Sequence, residues 1–304
     1  MSASVAATTL SAATPAIEDR PARSEWARVW SALRRNRGAM IGLAIILILI
    51  FAAVFAPVIS PFDPTVMGAG GSLEPPSWAH PFGTDKFGRD LFSRVIAGSR
   101  LTIFIGVLAV GISCTIGSLL GLISGYAGGK IDNVIMRAVD VMFSFPDILI
   151  ALSVVALLGP SLQNAVIAVG ISAIPWYARV VRGAVMVERQ KQYFEAAESL
   201  GAKGERLVFR HVLPNVLPPI LVLATLGFST AILSAAALSF LGLGAQPPEP
   251  EWGLELALGR DLMRQAWWIM TFPGLAIAIT VLGFNLLGDG LREALDPRQR
   301  RVGG

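Results

Sequence analysis

Residues 40–59 read MIGLAIILILIFAAVFAPVI, twenty positions without a charged side chain. A helix needs about 20 apolar residues to cross a hydrocarbon core of ~30 Å, so this stretch can span a bilayer by itself. It is full length, and no A-x-A site follows it, so it is expected to be a transmembrane helix and not a cleaved signal. Outward from it, charge-free stretches recur at 101–129, 148–178, 212–248 and 266–288. The run 148–178 is too long for one crossing, and Gly159-Pro160 places a turn within it. Six spans result: 40–59, 101–124, 139–158, 162–181, 216–243 and 267–288. The fifth exceeds the required length and is expected to tilt or break. The 304 residues are 54% hydrophobic and 15% charged, against roughly 25% charged in soluble chains. The expected fold is an all-α polytopic membrane protein with six transmembrane helices. An ordinary cytosolic enzyme and a disordered chain are excluded. A nucleic-acid partner is excluded too, because net charge +4 is not gathered into any basic stripe.

Lysine and arginine set the orientation, since cytoplasmic loops carry their excess. With the N-terminus inside, 19 of the 25 basic residues fall in inner segments, counting Arg179 at the inner end of span four, and 6 fall in outer loops. Both termini are therefore expected in the cytoplasm. Trp26, Trp30, Trp176, Trp267 and Trp268 lie near span ends and Trp78 and Trp252 in outer loops, as for interfacial aromatic belts. The organisation that follows is a cytoplasmic N-terminal segment (1–32), a region with the first span (33–64) and an extracytoplasmic loop (65–99). A core (100–292) with a cytoplasmic loop at 183–215 and a tail (293–304) complete it. The N-terminal segment, led by the charge-free Ala/Ser/Thr-rich 1–16, is expected to be disordered.

Chemistry-bearing clusters are scarce. One cysteine, Cys114, precludes an intrachain disulfide, and two distant histidines, His80 and His211, provide no metal-ligand cluster. The nearest approach to a phosphate loop, 125–131, has Ile131 after Lys130, where a Ser or Thr would hold magnesium. No catalytic, cofactor or metal residue is expected. Asp147 is a candidate pathway residue, because a carboxylate inside a span is costly and marks ion or proton paths. The structural alternative carries more weight: an acid behind Pro146 suits the positive end of a helix. Asp140 receives the same reading.

The loop between spans four and five contains Glu195-Ala-Ala-Glu-Ser-Leu-Gly201, nine residues, then His211-Val-Leu-Pro-Asn215. Residues 190–200 are predicted helical, with Tyr193, Ala196, Ala197 and Leu200 on one face. Small residues at the middle of that face permit close approach by another surface. Gly201 stands at the C′ position that ends a helix, 203–210 is a second helix, and Pro214 marks the start of span five. The same charges also suit an amphipathic hairpin on the anionic inner leaflet, with membrane lipid as partner through Arg189, Lys191, Lys203, Arg206 and Arg210.

The spacing from Glu195-Ala-Ala through Gly201 to His211-x-Leu213-Pro214 resembles the EAA loop of ABC-importer permeases. His211 stands where the broad family usually has Ile, and His-x-Leu-Pro-Asn looks like the peptide-importer branch. Residues 33–42 (LRRNRGAMIG), 56–64 (APVISPFDP), 80–90 (HPFGTDKFGRD), 238–244 (LSFLGLG) and 286–292 (LLGDGLR) resemble C-type transmembrane subunits of the dipeptide/oligopeptide (Dpp/Opp) family. Together these segments cover most of 33–298.

The resemblance implies a type I ABC-importer permease in the bacterial plasma membrane, with an extra N-terminal helix on a five-span core. It implies a homologous B-type permease subunit, one or two kinds of ABC ATPase subunit, and an extracytoplasmic solute-binding protein. ATP and magnesium would sit on the ATPases, with no cofactor on this chain and no enzyme activity of its own. Glu195 would anchor the short helix in an ATPase groove, Ala196 and Ala197 would allow contact, and Gly201 would turn the chain, with His211, Leu213 and Pro214 completing the motif. The outer loops would receive the binding protein, with Asp85, Arg89, Asp90, Glu251 and Arg260 as candidates; Asp90 is equally placed to cap a helix starting at Leu91. Within the family the cargo can also be nickel, glutathione or another small solute. A self-sufficient proton-coupled transporter using Asp147 is the rival outside it, and would show paired inverted halves, which the sequence lacks.

Overall fold

The computed structural model describes residues 25–202 and 204–295; the expectations for 1–16 and for the end of the tail lie outside them. The elements are α1 (Glu25–Arg35), α2 (Arg37–Ile59), α3 (Leu91–Ala127), α4 (Gly129–Phe143), α5 (Asp147–Leu158), α6 (Leu162–Arg189) and α7 (Gln192–Ser199). They continue with α8 (Glu205–Leu207), which passes through a π-turn (Val208–Val212) into α9 (Leu213–Phe240), then α10 (Trp252–Gly259) and α11 (Trp268–Leu295). Among the described residues, five runs are long and apolar enough to cross a membrane: α2, α3, α6, α8 to α9 taken together, and α11. A sixth crossing is obtained if α4 and α5, bent by 89°, count as one.

That bend corrects the straight third span expected at 139–158. Pro146 has no N–H to continue the α4 ladder, and it disfavours helical geometry at Phe145. The chain breaks at 144–146 and restarts with Pro146 as the cap of α5. Two arginines of α6 hold α4: Arg182 forks onto Asp132, Nε to Oδ1 and Nη2 to Oδ2 both at 2.6 Å, and Arg179 meets Asp140 at 2.7 Å. The acids lie about 12 Å apart along α4 and the arginines about 4.5 Å apart along α6, as for a helix crossing α6 obliquely.

Other boundaries also move. Helix α1 shows that 25–32 is not disordered. Helix α3 starts at Leu91, well outside the membrane limit expected at Leu101, and Asp90 caps it by accepting from Ser93 N at 2.8 Å. The second loop helix does not stop at 210 but runs on into span five, because its apolar side chains Leu207 and Val212 are buried in the same cluster as Val216 and Ile220. Trp252 and Trp268 are buried instead of interfacial: their indole N–H groups donate to Val95 O and Thr84 O at 2.9 and 3.1 Å, pinning the outer segment onto the bundle.

Small residues set the packing, as they do where lipid offers no hydrophobic contrast. Helix α2 buries Ala39, Gly42, Ile46, Leu49, Ala53 and Ala56, a stripe in alternating steps of three and four. It leaves Leu47, Ile48, Phe51 and Val54 outward. A close approach sustained over two helical turns joins α3 and α6. A Cβ on Gly117 would lie 2.5 Å from Tyr177 Cβ, one on Gly121 2.5 Å from Ala178 O, and one on Gly125 2.8 Å from Val185 Cβ. Gly121→Ala therefore forces the backbones apart and is expected to cost about 1–3 kcal/mol, read as a lower melting temperature in detergent. Gly111→Ala on the same helix, where a Cβ meets nothing within 4 Å, should not lower the melting temperature and is expected to raise it slightly.

Candidate functional site

The short loop helix expected between spans four and five forms as α7 and stops where glycine allows. Gly201 has φ +87°. Its N–H donates to Glu198 O at 2.9 Å and that of Ala202 to Ala197 O at 3.0 Å, the pair of bonds that closes a Schellman end. The expected four-residue face is divided. Ala197 packs toward the protein, whereas Glu195, Ala196 and Leu200 are exposed, Leu200 at 89%. The residue that sequence reasoning missed is Phe194, 3% exposed, which enters a cluster with Leu122, Val181, Val185, Leu207 and Val216. Its signal was an aromatic three positions before Ala197, which places the two on the same side of the helix.

A polar clamp reinforces this anchor. Glu188, in the last turn of α6 and 4% exposed, receives Lys191 Nζ at 2.5 Å and the Tyr193 hydroxyl. Asn215 Nδ2, in the first turn of α9, donates to Tyr193 Oη at 3.3 Å and to His211 O at 2.6 Å. Burial and the bond to Glu188 push the Tyr193 phenol above its ordinary range, so it stays a proton donor. Arg189 donates through Nη1 to Gly125 O at 3.2 Å and Tyr126 O at 2.8 Å, carbonyls that the end of α3 leaves open. His211 and Leu213 are half-buried, and Pro214 is exposed in the first turn of α9, where its missing N–H costs nothing. Helix α7 is thus tied to the ends of α6 and α9, with the outward face of Glu195 and Ala196 free to meet another surface.

In the membrane region, a cavity of about 520 Å³ opens between α3, the α4–α5 break, α6 and α9. Asp147, Phe145, Trp176, Tyr177 and Thr230 line it. Asp147 is the first residue of α5, and its Oδ1 accepts from Ile148 N at 3.0 Å. One residue therefore occupies both the first-turn position and the wall of the cavity. Asp140 is separate, held by Arg179 near the C-terminal end of α4.

The outer candidates are differently disposed. Asp85 is 3% exposed and accepts from Phe87 N, Arg89 N and Arg89 Nε at 2.8, 2.9 and 2.5 Å. Asp90 bonds His80 Nδ1 at 2.8 Å besides capping α3. Glu251 caps α10 through Gly253 N and Leu254 N at 2.9 and 2.8 Å. Asp85, Arg89, Asp90 and Glu251 are all buried, turned inward because an irregular outer segment must satisfy its own backbone groups. Arg260 is exposed, 3.1 Å from Asp261. Sequence reasoning missed the centre of this platform, the fully buried pair Arg94 and Glu255, joined through Nε at 2.7 Å. Arg94 also reaches Glu249 O at 3.0 Å and Pro64 O. Burial pushes the Glu251 and Glu255 carboxyls up, opposed at Glu251 by the two cap N–H groups and at Glu255 by Arg94.

A polytopic bundle with a membrane cavity and a clamped loop helix defines the class: a multi-pass membrane permease. The family described as "binding-protein-dependent transport system inner membrane component" matches residues 117–301, and the "N-terminal TM domain of oligopeptide transport permease C" matches 24–76. A dipeptide transport system permease protein, DppC, of Alkalihalophilus pseudofirmus is 48% identical over 91% of each chain. The Di/tripeptide transport system permease protein DppC of Pseudomonas aeruginosa is 48% identical over 90% of this chain and 92% of its own. The glutathione transport system permease protein GsiD of Pectobacterium atrosepticum is 45% identical over 93% and 95%. A chain of the MetNI methionine ABC transporter, in inward-facing conformations, superposes with a TM-score of 0.57 at 21% identity, covering 67% of this chain and 97% of that one, which shows a shared fold. The chain belongs to the binding-protein-dependent ABC-importer permeases, in the C-type branch of the dipeptide/oligopeptide family.

Phe194→Ala removes the apolar anchor of α7 at a cost of about 3 kcal/mol. Hydrogen exchange of the α7 amides is expected to accelerate by roughly a hundredfold, while amides of α6 before Arg189 keep their protection.

Proposed function

We propose that this chain forms half of the translocation pathway of an inner-membrane importer of dipeptides or short peptides, with both termini in the cytoplasm. A homologous permease subunit completes the pathway, one or two kinds of ATPase subunit drive it by alternating access, and an extracytoplasmic binding protein delivers the cargo. ATP and magnesium reside on the ATPases. The observation that carries the reading is the clamp of Glu188, Tyr193 and Asn215 together with buried Phe194. A helix held that way moves with α6 and α9, so a push on Glu195 and Ala196 reaches the membrane without being absorbed locally. Ala197 acts from behind as part of the anchor, and His211, Leu213 and Pro214 fix the start of α9. The peptide cargo rests on the named relatives. A glutathione permease lies only three points of identity away, and glutathione shares the free ammonium and peptide bonds of a short peptide.

On the outside, the buried acids and arginines build a platform, and the binding protein would rest on exposed neighbours such as Arg260 and Trp78, the latter fully exposed at 102%.

Two variants test the coupling. Gly201 holds φ +87° with open space around a Cβ, so Gly201→Val acts through the backbone alone; uptake should be abolished with membrane insertion intact. Normal uptake by that variant contradicts the assignment. Glu195→Arg should lose the ATPase from a mild-detergent pull-down while keeping the second permease. Recovery of this chain alone, in both the unaltered and variant samples, points instead to a self-sufficient transporter.

A further inference from the structure

The cavity beside the α4–α5 break has a consistent chemistry. Four of its hydroxyls are already committed as donors to backbone carbonyls: Ser113 to Ala109 O at 2.9 Å, Ser172 to Val169 O at 3.0 Å, Tyr177 to Leu223 O at 3.2 Å and Thr230 to Gly227 O at 3.0 Å. Each therefore turns only lone pairs to the cavity. Asp147 adds a carboxylate to the same wall, and among the described residues no cation lies within ion-pair distance of it. Arg179, three residues beyond Trp176 on α6, is taken up by Asp140 and by the Phe143 ring, 3.9 Å from its guanidinium carbon. The aromatic faces of Phe145 and Trp176 complete a wall that attracts positive charge. A cavity of 520 Å³ is within the range that encloses small-molecule ligands.

A wall of acceptors, one carboxylate and π faces suits a compact cationic donor. We infer that Asp147 is the docking point for the free ammonium group of the cargo as it crosses this subunit, so that the permease itself selects for an unblocked amine. The inference rests on the importer reading and deepens it. A carboxylate serving α5 only as a first-turn acid would do the same for every cargo. Asp147→Asn preserves shape and first-turn bonding but removes the charge, and so separates the two roles.

The test uses the intact complex purified into nanodiscs without binding protein, with Trp176 emission taken as the difference from Trp176→Phe. The probes are Ala-Ala and N-acetyl-Ala-Ala at millimolar concentrations. Ala-Ala should bind roughly tenfold more tightly than the acetylated peptide, one decade of a dissociation constant. Asp147→Asn should abolish the difference, and Asp147→Glu should retain it. Equal affinities in the unaltered complex, no response to either peptide, or a preference that persists in Asp147→Asn overturns the inference. Should Asp147→Asn fail to assemble, the comparison of the two probes on the unaltered complex decides alone. Cellular uptake of Ala-Ala separates the two levels. Uptake by cells whose purified complex shows no preference leaves the importer standing without the ammonium site, whereas absence of peptide uptake by the unaltered complex removes the importer reading.

Discussion

Three glycines spaced four apart, Gly117, Gly121 and Gly125, allow α3 and α6 to touch backbone to backbone, and the remaining arrangement depends on that contact. Only at such a distance does Arg189 of α6 reach the last carbonyls of α3, and only then can Val181 and Val185 share a cluster with Leu122. That cluster is the socket for Phe194. The loop helix is thus positioned by a membrane contact more than a helical turn away from it. At these three positions the glycines first meet backbone or Cβ atoms of α6, so no flexible side chain lies between to take up a displacement.

Much of this was legible in the sequence. The apolar runs located the crossings because backbone groups in lipid must be satisfied within a helix. Asp90 was placed to cap a helix starting at Leu91, the Gly159-Pro160 turn set the start at Leu162, and Gly201 marked the end of α7. Loop spacing from Glu195 to Asn215 led to the family before any coordinates. The failures have a common cause. Hydropathy measures whether a segment tolerates lipid and not whether it is straight, so one straight span was drawn over 139–158 across the break at 144–146. Trp252 and Trp268 look interfacial by position, yet their rings are consumed by the fold. Charges at Asp85, Arg89 and Glu251 look like a docking surface, but an outer segment with little regular structure has to use them internally.

The two ends of the permease are built on opposite economies. Outside, charges are buried and paired, as Arg94 with Glu255; breaking such a pair leaves an uncompensated charge and is strongly destabilising. The platform is therefore expected to be rigid. In the membrane region, the cavity keeps one carboxylate without an ion-pair partner among the described residues, and four of the hydroxyls around it donate to backbone carbonyls. Rigidity outside and unsatisfied acceptors within suit a chain that holds its delivery surface fixed while cargo passes.

The central claim is that α7 and α6 move as one body. Spin labels at Leu200→Cys on α7 and Val187→Cys on α6, both exposed positions, in a Cys114→Ser background, report their separation by double electron–electron resonance through the nucleotide cycle of the assembled complex. The account predicts a single narrow distance that is the same without nucleotide, with ATP trapped and after hydrolysis. A distance that broadens or shifts by several ångströms between those states would mean that the helix hinges at 190–191, and the rigid lever would be wrong.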